Sequence, residues 1–183
     1  MDPEKVVLDR DDIRRTLVRI AHEIVEKNAD ASELAIVGIH RRGAILAARV
    51  KALVDELLDA SVPLGDLDIS FYRDDLPGRK PGAHPVVHSS HLDFDLDGRT
   101  VVLVDDVMYT GRTARAAIDA LFDYGRPQRV QLAVLADRGH RELPIRPDYV
   151  GKNLPTSSRE TVAVRLTEHD GEDRVVIQEP DDA

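Results

Sequence analysis

The chain has 183 residues, enough for one domain with a sizeable core. It contains no cysteine, which excludes disulfides, thiolate metal sites and cysteine nucleophiles. The formal charge of −9 argues against any partner that needs a broadly basic surface, although Gly38 to Lys51 holds four basic residues and no acid. Met1 to Arg10 is charged and no run approaches about 18 apolar residues, so a soluble, cytoplasmic protein with no membrane partner is expected.

In chain order, Asp9 or Asp11 is positioned to cap a helix running to about Asn28. Ile13, Leu17, Ile20, Ala21, Ile24 and Val25 recur at helical spacing and form its buried stripe. Arg15, Arg19 and His22 share another face, as a solvated cationic stripe or as one facing a ligand or RNA. Glu33 to Ile39 reads as a core strand, followed by Gly38-Ile39-His40-Arg41-Arg42-Gly43 and a small-residue helix through Val54. A glycine-flanked arginine pair between a strand's carboxyl end and a helix is an anion site, placed where open α/β sheets bind ligands.

Asp66 to Tyr72 alternates as a strand does, and Pro77 to Asp97 lacks periodicity. The latter is a connector or a lid; Tyr72 and Arg73 at its stem suit a lid that delivers an arginine to an anion. His84, His88 and His91 stand in this loop with no accompanying carboxylate cluster before Asp93, so no metal site is expected there.

Thr100 precedes the most informative stretch: Val101, Val102, Leu103, Val104, Asp105, Asp106, Val107, Met108, Tyr109, Thr110, Gly111, Arg112 and Thr113. Four consecutive aliphatic residues predict a strand buried on both faces. Two carboxylates end it, and an alanine-rich helix is expected from about Arg112 to Phe122. The turn from Thr110 to Thr113 offers unpaired amides at a helix start plus threonine hydroxyls, a phosphate cradle, with Gly111 allowing close backbone approach. The carboxylates suit vicinal hydroxyls or a developing cation. Asp pairs also end strands in phosphoacceptor and metal pockets, but those do not need a Thr-Gly-x-Thr turn five residues on.

Arg129 to Ala136 reads as a further buried strand. The run from Asp137 to Asn153 contains Pro147-Asp148-Tyr149-Val150-Gly151, and Thr161 to Thr167 with Arg174 to Gln178 forms a hairpin expected to edge the core sheet, its acidic turn solvated.

The Val101 to Thr113 stretch resembles the signature loop of type I phosphoribosyltransferases, which bind phosphoribosyl pyrophosphate (PRPP). With Phe71 to Leu76 and the run after Asp137, the resemblance narrows to the PyrR family of bifunctional pyrimidine-operon regulators and uracil phosphoribosyltransferases, and it extends from the first helix to Ile177. It implies an α/β fold with a mainly parallel central sheet flanked by helices, a flexible loop at about 74–97, and a small hood at about 137–160 plus the N-terminal segment. It implies catalytic roles for Asp105, Asp106, Arg42 and Arg73, and PRPP contacts along Val101 to Thr113 and at Arg41, Arg42 and Gly43. His40 and Arg41 stand where a Lys-Thr or Pro-Thr pair would be usual.

By the same resemblance, Arg138, Tyr149 and Val150 bind the base, Tyr149 by stacking unless it is simply core. Arg19, His22, His140, Arg141, Arg146 and Lys152 would face the pyrimidine (pyr) operon leader mRNA, bound under control of UMP or UTP. Mg²⁺ would enter with the pyrophosphate rather than on protein ligands, and a homodimer or higher homo-oligomer is implied. Purine salvage, or an enzyme that has lost RNA control, is the alternative.

Overall fold

In the computed structural model, residues 4–73 and 90–179 are described. A parallel five-stranded sheet has the order β3-β2-β4-β5-β6: β2 Leu34–Ile39, β3 Leu64–Leu67, β4 Thr100–Met108, β5 Arg129–Asp137 and β6 Tyr149–Asn153. Side-chain alternation sends successive strand residues to opposite faces. Leu34, Ile36, Val102, Val104, Ala133 and Leu135 pack against helices α1 (Arg10–Lys27) and α2 (Arg42–Leu58). Ala35, Val37, Val101, Leu103, Leu132 and Val134 pack against α3 (Arg112–Phe122). Helices on both faces explain why β2 is buried throughout, and each buried Val, Leu or Ile among these residues contributes about 1.5–3 kcal/mol.

Helix α1 begins at Asp9, whose carboxylate accepts from Asp12 N while the Asp12 carboxylate accepts from Asp9 N, a reciprocal cap. Its expected stripe is buried, Val25 partly so. Helix α3 has the expected bounds, and Phe71 to Arg73 follow β3 as a turn anchored by the Tyr72 hydroxyl, which donates to Asp123 beyond the end of α3.

Four details differ from the expectations. β3 ends at Leu67 because Asp68 turns the chain, its Oδ1 accepting from Ser70 N and Oγ at 2.9 and 2.5 Å. β4 runs on through the acid pair to Met108, held by β5 as far as Met108–Asp137. The hairpin β7 (Thr161–Arg165) and β8 (Arg174–Gln178) does not edge the core sheet: with β1 (Lys5–Leu8) it makes a separate antiparallel sheet, β1-β8-β7. Its acidic turn, which contains the short helix α4 (Thr167–Asp170), is not simply solvated, because Arg42 and Arg49 of α2 bind Asp170, Glu168 and Asp173. The proposed lid falls on residues 77–97, of which 77–89 lie outside the described residues, as do His84, His88 and the C-terminal tail. At its described end, Asp66 and His91 form an antiparallel bridge, and Leu96 is buried against the α3 side of the sheet.

Candidate active site

The carboxyl ends of β2 and β4 converge on a cavity of about 420 Å³. His40, Arg41 and Arg42 line one wall, Asp68, Ser70 and Arg73 another, and Asp105, Asp106 and Thr113 the floor. The approach of the two strand ends depends on Gly43. A β-carbon there would lie 2.5 Å from Val104 O and 3.1 Å from Asp105 Cα, so no other residue fits without displacing the backbone. The His40–Arg41 peptide is cis.

Asp105 is buried and Asp106 half-buried. Asp105 Oδ1 accepts from Asp106 N, and Asp106 Oδ1 from Val107 N, each at 2.8 Å. Burial, and then the neighbouring Asp106 charge, holds the Asp105 carboxyl well above the usual carboxylate range, while the Arg73 guanidinium opposes that rise. Such a carboxylate gains most from a positive charge appearing beside it.

Beside Asp105 and Arg73 lies a recess of about 80 Å³, lined by Val107 to Gly111, Thr113 and Ala114, with the apolar Leu132 and Val134 of β5 behind it. Gly111, at φ 96°, starts α3 and supplies the left-handed conformation the turn requires. The turn is clamped from outside: Glu142 N and Leu143 N donate to Thr110 O at 2.9 and 3.1 Å, and Arg112 Nε donates to the Glu142 carboxylate at 2.8 Å. A small recess at a helix amino terminus, with hydroxyls in its wall, suits one phosphate group.

Residues 137–155 shape a third cavity of about 490 Å³, lined by Arg138, Arg141, Arg146 and Val150 among others. Arg138 is buried, donates to Ser157 O and Glu160 O, and lies 4.1 Å from the Tyr109 ring centre. The Tyr109–Arg138 stack therefore stands between this cavity and the phosphate recess.

The structure brings together Asp105, Asp106, Arg41, Arg42, Gly43, Arg73 and the Thr110–Thr113 turn. Val101 to Val104 stand apart: they are core, 0–3% exposed, and line none of the three cavities, so they carry the acids rather than touch a ligand. Tyr149 also departs from the stacking role. Its ring is in the core, 2% exposed, and its hydroxyl donates to Gln131 Oε1 at 2.8 Å and accepts from Asn28 Nδ2 at 3.2 Å. Register explains it, since Tyr149 points to the α1 face of β6 and its neighbour Val150 to the opposite face, where the cavity lies.

Arg42 lines the cavity yet lies against Asp170, donating at 2.8 and 3.1 Å. The turn at Asp68 and Ser70 is the feature that sequence reasoning missed, although Asp-Ile-Ser is a recognisable side-chain-capped turn.

The residues expected to face RNA divide in two. His22, His140, Arg146 and Lys152 are exposed. Arg19, also exposed, binds Glu23 and donates to Val150 O and Gly151 O within the edge strand β6, which joins the α1 stripe to that strand. Arg141 is committed internally, to the Asp137 carboxylate, Ile145 O and Tyr109 O.

A parallel sheet with an acid pair over a phosphate-sized recess and an arginine loop opposite defines a phosphoribosyltransferase. The family described as Phosphoribosyl transferase domain matches residues 7–169. The chain belongs to that family and, within it, to the PyrR family. It is 63% identical over 168 residues to the "Bifunctional protein PyrR" of Roseiflexus sp. (strain RS-1), covering 92% of this chain and 91% of that one. With the "Bifunctional protein PyrR" of Deinococcus radiodurans it shares 56% identity over 180 residues, 98% and 97% of the two chains. Among solved structures, the hypoxanthine phosphoribosyltransferase of Trypanosoma cruzi superposes with a TM-score of 0.73 at 18% identity, covering 97% of this chain and 98% of that one, a likeness of fold. Among the described residues, no helix is long and apolar enough to cross a membrane.

Proposed function

We propose that this chain transfers ribose 5-phosphate from PRPP to N1 of uracil, forming UMP and releasing pyrophosphate, and that the same nucleotide site governs binding to pyr leader mRNA. The observation that carries the reading is the placement of Asp105 on the wall shared by the small phosphate recess and the arginine-lined cavity, with Asp106 beside it in that cavity. That order matches the order of groups in PRPP: 5-phosphate, ribose hydroxyls, pyrophosphate.

The Thr110–Thr113 turn anchors the 5-phosphate and fixes the anomeric carbon above the acids. As the bond to pyrophosphate lengthens, positive charge develops on the ribose. Asp105, whose ionised form is disfavoured in the resting site, and Asp106 then stabilise that charge more than they stabilise the ground state. Arg41, Arg42 and Arg73 neutralise the departing pyrophosphate. The oxygen-rich wall of Asp68, Asp105 and Asp106 is the hard donor set that suits Mg²⁺ carried on PRPP oxygens and water, an ion that offsets pyrophosphate charge.

Uracil enters from the side of Arg138 and Val150, where main-chain groups of β6 meet its alternating polar edge. His22, Arg146 and Lys152, continuous with that wall through Arg19 and β6, form the RNA face, so occupancy of the base site and RNA binding share one structural element. We read the chain as a single phosphoribosyltransferase domain, its hood comprising residues 137–160 with β1, that works as a homo-oligomer in the cytoplasm.

A base panel with PRPP and Mg²⁺ tests this. UMP from uracil, with no nucleotide from hypoxanthine or guanine, is expected; the reverse pattern would replace the uracil reading with purine salvage.

A further inference from the structure

Three residues far apart in sequence meet beside the arginine loop. His40 follows β2, Asp66 lies in β3, and His91 is bridged to Asp66. Main-chain hydrogen bonds fix all three positions: Asp66 N donates to His91 O at 2.9 Å, His91 N to Asp66 O at 3.0 Å, and His40 N to Leu67 O at 2.9 Å. The side chains then converge. His40 Nε2 is 2.5 Å and His91 Nδ1 3.1 Å from the same oxygen, Asp66 Oδ1, and one ligand atom from each residue lies within 4.8 Å of the others. Among the described residues this is the one such grouping of His, Asp and Glu.

We propose that His40 Nε2, His91 Nδ1 and the Asp66 carboxylate form a site for a transition-metal dication of the zinc class, separate from the Mg²⁺ that accompanies PRPP. Two imidazoles and one carboxylate select Zn²⁺ and its first-row neighbours, whereas Mg²⁺ takes oxygen donors. The spacing fits: tetrahedral ligands about 2.0 Å from zinc stand about 3.3 Å from one another. The His91–Asp66 pair is already near that separation, and the His40–Asp66 pair reaches it by opening less than about 1 Å. Without an ion, both rings bond to one carboxylate oxygen, the arrangement a dication between them replaces. The His91 side chain is 60% exposed.

Position gives the site a consequence. His40 lines the cavity immediately before Arg41 and Arg42, so an ion holding His40 to β3 ties down the loop that grips pyrophosphate. Metal coordination by these three residues is independent of which base the enzyme uses.

Cobalt(II) titration of the metal-free full chain, with Mg²⁺ in excess, tests it. The expected result is a visible absorption band of low-coordinate cobalt that saturates at one equivalent, is displaced by zinc and is absent in His91→Ala, with zinc affinity falling more than about tenfold in both His91→Ala and Asp66→Asn. Metal-free His91→Ala should keep the wild-type circular dichroism spectrum and a single cooperative melt, which separates loss of the site from loss of fold. No cobalt band, or equal zinc affinity in wild type and His91→Ala, would overturn the proposal and leave a hydrogen-bonded His-Asp-His cluster.

Discussion

Arg42 reaches across to Asp170, its Nε and Nη2 donating to the two carboxylate oxygens at 3.1 and 2.8 Å and joining the anion loop to the turn between β7 and β8. Arg49, two turns along α2, holds Asp173 in the same way at 2.8 Å. Hydrogen bonds from these guanidinium groups pull Asp170 and Asp173 each down to about 2. A carboxyl with a lower pKa folded than unfolded stabilises the fold above its unfolded value, about 3.9, and loses that contribution as pH falls through the folded value. The melting temperature should therefore decline between about pH 4 and pH 2, and an Asp170→Asn, Asp173→Asn variant should be less stable at neutral pH with a shallower decline in that window. A variant decline as steep as the wild type's would contradict the pairing.

Asp105 is displaced in the opposite direction, upward through burial and the Asp106 charge. A carboxyl with a raised folded pKa costs stability as pH rises from its unfolded toward its folded value, because the unfolded chain carries the charge more easily. Asp105→Asn should raise the neutral-pH melting temperature, by about 2–4 °C for each kcal/mol relieved, while impairing turnover. A lower melting temperature in thermal denaturation at pH 7 would count against the burial account.

Gly43→Ala inserts a methyl group against Val104 O and Asp105 Cα. Overpacking of this kind costs about 1–3 kcal/mol, and here it also parts the arginine loop from the acid pair. A lower melting temperature with a KM for PRPP raised several-fold is expected from steady-state kinetics. Wild-type values for both would mean the two strand ends do not need this approach.

RNA contacts should separate by how each side chain is employed. Arg146→Ala and Lys152→Ala remove exposed charge, so each should weaken leader RNA binding, lower the slope of log affinity against log salt by about 1, and leave the melting temperature unchanged. Arg141→Ala breaks bonds to Asp137, Ile145 and Tyr109 and should lower the melting temperature first. Filter binding across salt with and without UMP reads the first effect, and calorimetry the second.

Much of this was legible locally. The four-aliphatic run, the acid pair and the Thr-Gly-x-Thr turn each carry their own signal, and α3 begins and ends where its pattern does. Face was harder. Tyr149 sits in a strand whose existence is readable, but its inward orientation depends on register with β5 and on the buried amides of Asn28 and Gln131 that receive its hydroxyl. The separate sheet needed β1, four residues with no strong pattern, paired with β8 across most of the chain. Charge pairing is equally long-range: Arg42 and Asp170 are 128 residues apart, and His40 meets Asp66 across 26. Such contacts belong to the folded topology, and local spacing does not encode them.

In the proposed reaction, Asp105 and Asp106 carry ribosyl transfer from PRPP to uracil. Steady-state UMP synthesis by an Asp105→Asn, Asp106→Asn variant tests it most directly. Loss of kcat by about 10²-fold or more, with the fold intact by circular dichroism, is the predicted result. UMP synthesis at the wild-type rate in that folded variant would contradict it.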